Sequence, residues 1–137
     1  MFLALCIHNL IFFVIQGCDA SILLDSGARR GNSEIDSEKN FGIRKLETIQ
    51  HIKYMLEAEC PGQVSCADII ALAAKESVAL SRGPNIQIPL GRKDSTTSSR
   101  QAADMDLPPP DITVDKLLNI FMSIGLNLEE SVAIMGN

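Results

Sequence analysis

An all-α fold is what this sequence predicts, on three observations. Apolar residues recur at helical spacing in long stretches, residues that start and stop helices bracket those stretches, and no alternating run exceeds the short Ile86-Gln87-Ile88 piece. The 137 residues match the usual size of one domain. No internal repeat of roughly 20 to 50 residues is visible.

Residues 1–16 stand apart: they carry no charge and, apart from His8, Asn9 and Gln16, are apolar throughout. The run falls short of the roughly 18 apolar residues a spanning helix needs, so no stable membrane span is expected. It reads either as the apolar part of a signal peptide, with small Gly17 before Cys18, or as a buried helix or residues outside the folded unit. From Ile43 onward, Ile43, Leu46, Ile49, Ile52, Met55 and Leu56 recur at helical spacing, with Arg44, Lys45, Glu47, Gln50 and Lys53 between them; Cys60-Pro61-Gly62 ends this helix. Ser65 with Asp68 three residues on is a second start signal, and the Ala-rich run Cys66 to Leu80 reads as a largely buried helix stopped by Arg82-Gly83-Pro84. Asp68 in that first turn reads as a carboxylate meeting the free N–H groups of its own helix. Residues 85–111, with Pro89, Pro108, Pro109, Pro110 and a Ser/Thr cluster, read as irregular connection with at most short extended or helical pieces. Thr113 caps a helix from Val114 to Ile124 closed by Gly125, and Asn127 with Glu130 caps another from Leu128 to Met135.

Charge and cysteine usage exclude several functions. Lys and Arg number 12 against 17 Asp and Glu, a net charge of −5. No basic block exceeds two residues, so nothing is offered to a phosphate backbone and no nucleic-acid partner is expected. Cys6, Cys18, Cys60 and Cys66 are too few for a disulfide-dense mini-protein, although an even number leaves an oxidising compartment open. With only 2 His in the chain, a structural zinc site has little to draw on. Gly-rich phosphate loops, nucleophile elbows and His-Glu-x-x-His are all missing from the sequence.

The chemistry enters through longer motifs. Gln16-Gly17-Cys18-Asp19-Ala20-Ser21-Ile22-Leu23-Leu24-Asp25 resembles the loop that follows the distal helix in plant secretory (class III) haem peroxidases. Cys60-Pro61-Gly62-Gln63-Val64-Ser65-Cys66-Ala67-Asp68-Ile69-Ile70-Ala71-Leu72-Ala73-Ala74 resembles the family's next signature. Pro89-Leu90-Gly91-Arg92-Lys93-Asp94-Ser95, Leu107-Pro108-Pro109-Pro110 and Gly125-Leu126-Asn127-Leu128 continue in the family's order. The resemblance runs from Gln16 to Asn137, less than half of the family's catalytic domain. It divides the chain into an apolar segment, 1–16, and a partial haem peroxidase domain, 17–137. The implied architecture is a partial helical domain with long irregular loops, of the kind that holds haem b between a distal and a proximal helix.

Residue by residue, the resemblance implies a calcium site at Gly17, Asp19 and Ser21, with a backbone carbonyl from Ile15. An alternation of carbonyl, carboxylate and hydroxyl suits a hard cation that takes six to eight oxygens. A glutamate supporting that ion through water is expected between Ser33 and Asn40; local wording favours Glu38, and counting back from Arg44 favours Glu34. Pro108 matches a proline lining the aromatic-substrate entrance. Asp68 and Arg92 match a buried ion pair of structural importance. The family's distal base and charge-stabilising guanidinium align with Ile11 and Ile7, its calcium-binding Asp with Phe12, and the Cys partner of Cys18 with Phe13. His8 lies one helical turn from Ile11, and His51 falls beside the polar face of its helix, as a solvated imidazole would. The haem-ligating proximal His would follow Asn137. In the family Cys60 pairs near the mature N-terminus and Cys66 in the C-terminal half, leaving an improvised Cys60–Cys66 bridge as the alternative.

The resemblance therefore implies hydrogen-peroxide-dependent oxidation of small phenolic donors, removal of hydrogen peroxide under oxidative stress, and secretion. With Ile7 and Ile11 where an Arg and a His work, the expectation is a truncated, catalytically incompetent form with no evident axial ligand for haem iron and an incomplete calcium site. The alternative is a non-catalytic helical interaction module using apolar helix faces left uncovered.

Overall fold

The computed structural model describes residues 19–25, 27, 31–40, 43–109 and 111–135. Among the described residues lie five α-helices and no strand, so the all-α expectation is borne out. The helices are α1 (Leu46–Glu59), α2 (Cys66–Leu80), α3 (Arg100–Asp106), α4 (Val114–Ser123) and α5 (Leu128–Met135); single 3-10 turns span Ser21–Leu23, Glu34–Asp36 and Glu38–Asn40. Ile7, His8, Ile11, Phe12, Phe13, Ile15, Gly17 and the rest of residues 1–18 lie outside the described residues, as does Pro110.

The helix pattern beginning at Ile43 becomes helical only at Leu46. Lys45 takes a left-handed conformation (φ 68°) at the start of α1, and Ile43 packs instead against the buried cluster of Ile22, Ala103 and Leu107. Leu23, Ile35 and Ile70 pack on the same cluster. Each fully buried Leu or Ile of this kind contributes roughly 1.5–3 kcal/mol. The apolar stripe of α1 lies against α2, yet no residue of α1 is fully buried, and Tyr54 and Met55 face solvent.

α2 has the boundaries its sequence suggests, but two details differ. Ser65 does cap it, its hydroxyl accepting from the Asp68 amide at 3.1 Å. The Asp68 carboxylate, however, accepts nothing from its own helix. The helix N-terminus is met from a distance by Asp94, whose oxygens accept from the Cys66 and Ala67 amides at 2.9 and 2.8 Å. Burial is also one-ended: Ala67, Asp68, Ile69 and Ala71 are buried, whereas Leu80 is 85% exposed. At the far end the Gly83 amide reaches the Val78 carbonyl at 2.9 Å and the Arg82 amide reaches Ala79 at 3.0 Å, a Schellman closure in which Arg82 holds the left-handed position at φ 65°.

Downstream, the proline-rich connection contains one short helix, α3, capped by the Ser99 hydroxyl accepting from Ala102 N–H at 3.2 Å. Thr113 precedes α4, but its side chain makes no capping bond, and α4 ends at Ser123 rather than Ile124. Gly125 (φ 90°) then turns the chain, a conformation open to Gly without strain. α5 begins with a reciprocal box: Glu130 N–H donates to Asn127 Oδ1 at 2.9 Å, and Asn127 N–H donates to Glu130 Oε2 at 2.8 Å.

Candidate functional site

The loop around Asp19 is shaped by its own side-chain hydrogen bonds. The Asp19 carboxylate accepts from both the amide and the hydroxyl of Ser21, at 3.1 and 2.6 Å, while Ala20 between them is left-handed at φ 59°. A non-glycine residue in that region stores on the order of 1 kcal/mol of strain. The turn brings both side chains to one side, and Ser21 is buried.

A second 3-10 turn stands against the first. Asp36 fixes its start by accepting from the Ser33 amide and hydroxyl and from Gly31 N–H. Asn40 closes it by donating from Nδ2 to the Glu34 carbonyl at 2.7 Å. Glu34, on this turn, is 4% exposed, and its Oε2 has no hydrogen-bond partner among the described residues; the same holds for Asn40 Oδ1. Burial pushes the Glu34 carboxyl above its ordinary range, the Ser21 hydroxyl pulls it back, and the charge of Asp19 pushes it up again. Among the described residues this carboxylate has no ion-pair partner, a costly placement unless a cation or proton arrives. Glu38 is exposed on the next turn.

The chemistry of this cluster fits a hard cation. Two carboxylates and a hydroxyl supply oxygen only, and the Ser21 hydroxyl can rotate its lone pairs toward an ion once its proton is no longer needed on Asp19. Gly17 and Ile15, expected to add carbonyl oxygens, lie outside the described residues. No group of three or more His, Cys, Asp or Glu converges among the described residues, so backbone and hydroxyl oxygens must complete any shell.

The second predicted pair lies on the other side of α2's start. Arg92 Nη1 donates to Asp68 Oδ1 at 3.1 Å, and the same carboxylate accepts from Gly91 N–H at 2.7 Å and Arg92 N–H at 3.3 Å. The Gly91 amide first, with the guanidinium adding to it, holds the Asp68 carboxyl below its usual range against the opposing effect of burial. Pro108 is half-buried directly after buried Leu107, whose carbonyl accepts from the Lys39 ammonium along with that of Asp104. His51, the one imidazole among the described residues, is exposed on α1. Cys60 and Cys66 are free thiols, and the improvised bridge between them is not formed; burial raises the Cys66 thiol, and Asp94 raises it further.

Sequence reasoning missed the segment that straps these parts together. Ser95 N–H donates to the Asp19 carbonyl at 2.7 Å, Glu34 N–H donates to Ser98 Oγ at 2.9 Å, and Arg100 N–H donates to the Asn32 carbonyl at 2.9 Å. Ser37 adds a hydroxyl bond to Asp104 at 2.5 Å. The density of hydroxyls in Ser95-Thr96-Thr97-Ser98-Ser99 was the available signal, but it reads equally as a solvated loop.

Together these features make a helical domain in which Asp19, Ser21 and buried Glu34 gather oxygens beside two docked 3-10 turns. The peroxidase family model matches residues 2–137. The chain belongs to the peroxidase family, and the resemblance to its plant class III members is borne out. It is 55% identical over 123 residues to Peroxidase 29 of Arabidopsis thaliana, covering 89% of this chain and 36% of that protein. Identity to Peroxidase 9 of Arabidopsis thaliana is 48% over 127 residues (89% and 35% of the two chains), and to Peroxidase 4 of Vitis vinifera 41% over 122 residues (89% and 38%). The chain thus spans little more than a third of the length of the curated relatives it matches. No helix among the described residues is long and apolar enough to cross a membrane.

Proposed function

We propose that this chain contributes the calcium-holding loop, the Asp68–Arg92 tie and the Pro108 rim of a secreted plant haem peroxidase. The whole protein's reaction is hydrogen-peroxide-driven one-electron oxidation of small phenolic donors, which removes hydrogen peroxide under oxidative stress. Glu34 carries the calcium reading: it is a buried carboxylate with one oxygen partnerless among the described residues, set against Asp19 and Ser21. Of the two glutamates the sequence left open, Glu34 is therefore assigned and Glu38 is not. Asp19 and Ser21 hold the ion directly with the Ile15 and Gly17 carbonyls, and Glu34 holds it through water. Bound there, the cation neutralises Glu34 and fixes the Asp19–Ser21 turn.

Haem supplies the oxidising chemistry in this family. Ile11 and Ile7 occupy the positions of the base that moves a proton and the guanidinium that stabilises charge. These 137 residues by themselves are accordingly inactive, since loss of either kind of group typically lowers rate by about a hundredfold or more.

A thermal-shift comparison of calcium with magnesium tests the assignment. The unsubstituted chain and Glu38→Gln gain stability with calcium, whereas Glu34→Gln does not; equal shifts in all three, or none in the unsubstituted chain, contradict it. Adding haemin and assaying guaiacol oxidation tests the inactivity, which robust turnover would overturn.

A further inference from the structure

We infer that Ser98 is a positioning residue for the ion site, acting through Glu34, and that the segment from Ser95 to Ser98 sets the spacing between Glu34 and Asp19. The inference rests on the calcium reading above. Its basis is that one short stretch, more than sixty residues downstream, grips both halves of the cluster: the Ser95 amide holds the Asp19 carbonyl at 2.7 Å, and the Ser98 hydroxyl accepts from the Glu34 amide at 2.9 Å. The stretch is itself fixed at both ends. Asp94 is bound to the start of α2, and Ser99 caps α3.

Of the two grips, only Ser98 works through a side chain, so a substitution can release it while leaving the backbone course intact. The Glu34 amide opens a buried turn, and without the Ser98 oxygen it has no acceptor there. The turn then relaxes, and with it the direction of the carboxylate it carries. Calcium affinity depends on how tightly its oxygens are held at one point. Partners that orient ligands from behind typically contribute 10–100-fold to metal affinity.

The test is calcium titration by isothermal calorimetry on the chain, with Ser98→Ala, Ser98→Thr and Thr96→Ala, the last changing an exposed hydroxyl of the same segment. Ser98→Ala is expected to weaken calcium binding by about tenfold or more, while Ser98→Thr and Thr96→Ala stay close to the unsubstituted chain. If Ser98→Ala does not fold, Ser98→Cys, nearly isosteric with a poor acceptor, is read instead and is expected to weaken binding several-fold. An unfolding midpoint that drops in Ser98→Ala or Ser98→Cys with calcium affinity unchanged makes Ser98 a packing residue and overturns the inference. Failure of the unsubstituted chain to bind calcium overturns the calcium reading as well, and that outcome is distinct from binding that is indifferent to Ser98.

Discussion

Consider removing each half of the Asp68–Arg92 pair in turn. Asp68 is 6% exposed and accepts three hydrogen bonds, from Gly91 N–H at 2.7 Å, Arg92 N–H at 3.3 Å and Arg92 Nη1 at 3.1 Å. A hydrogen bond to a charged group contributes about 1.5–3 kcal/mol, but the Gly91 side of this cluster is open to water, which re-solvates part of what is lost. Asp68→Ala is therefore expected to destabilise by about 3 kcal/mol. Arg92→Ala leaves the carboxylate with two backbone amides, and its own side chain is 23% exposed, so the expected loss is smaller, about 1–1.5 kcal/mol. The double variant should lose less than the sum, with a coupling of about 1 kcal/mol. Urea unfolding followed by far-UV circular dichroism measures all four points of this cycle. The reasoning is refuted if Arg92→Ala proves the worse of the two, or if the two losses add with no coupling. A pH series adds a sign. The folded-state pKa of Asp68 is depressed below 3.8, so its stabilisation is fully present above that value and is lost as the pH falls through the lowered one. The gap between the parent chain and Asp68→Asn should be constant at neutral pH and close only below 3.8.

Three further outcomes follow from local geometry. Arg82→Gly relieves the left-handed backbone at the end of α2 and should raise stability by about 0.5–1 kcal/mol in the same urea assay. Gly83→Ala places a Cβ 2.5 Å from Val78 Cγ1 and 2.9 Å from the Val78 carbonyl oxygen, so the α2 closure should loosen, at a loss of about 1–2 kcal/mol and with faster amide exchange at Arg82 and Gly83. Asn127→Ala breaks the box that opens α5 and should lower stability by about 1 kcal/mol, visible as fraying of residues 128–130 by hydrogen exchange.

The helices were legible where a side chain signals its own local bonding. Ser65, Asn127 and Glu130 announce the starts of α2 and α5 because their oxygens act within three residues, and the family motifs placed Asp68 near Arg92. What was not legible depended on distant pairing. Asp94 replaces Asp68 as the carboxylate at the start of α2, and nothing near Asp94 in sequence says which amides it will meet. Glu34 and Glu38 are equivalent by composition; only the docking of one 3-10 turn on another buries the first and leaves the second in water. Ile43 fits a helical stripe yet serves the core from outside the helix, because Ile22 and Leu107 offer it more burial than α1 does.

Calcium location is the most direct test of the central claim. Crystals of the chain grown with saturating calcium, measured for anomalous scattering, should show one ion touching the Asp19 carboxylate and the Ser21 hydroxyl, with Glu34 one water away. An ion seated elsewhere, or density showing Asp19, Ser21 and Glu34 with no ion at that concentration, would contradict it.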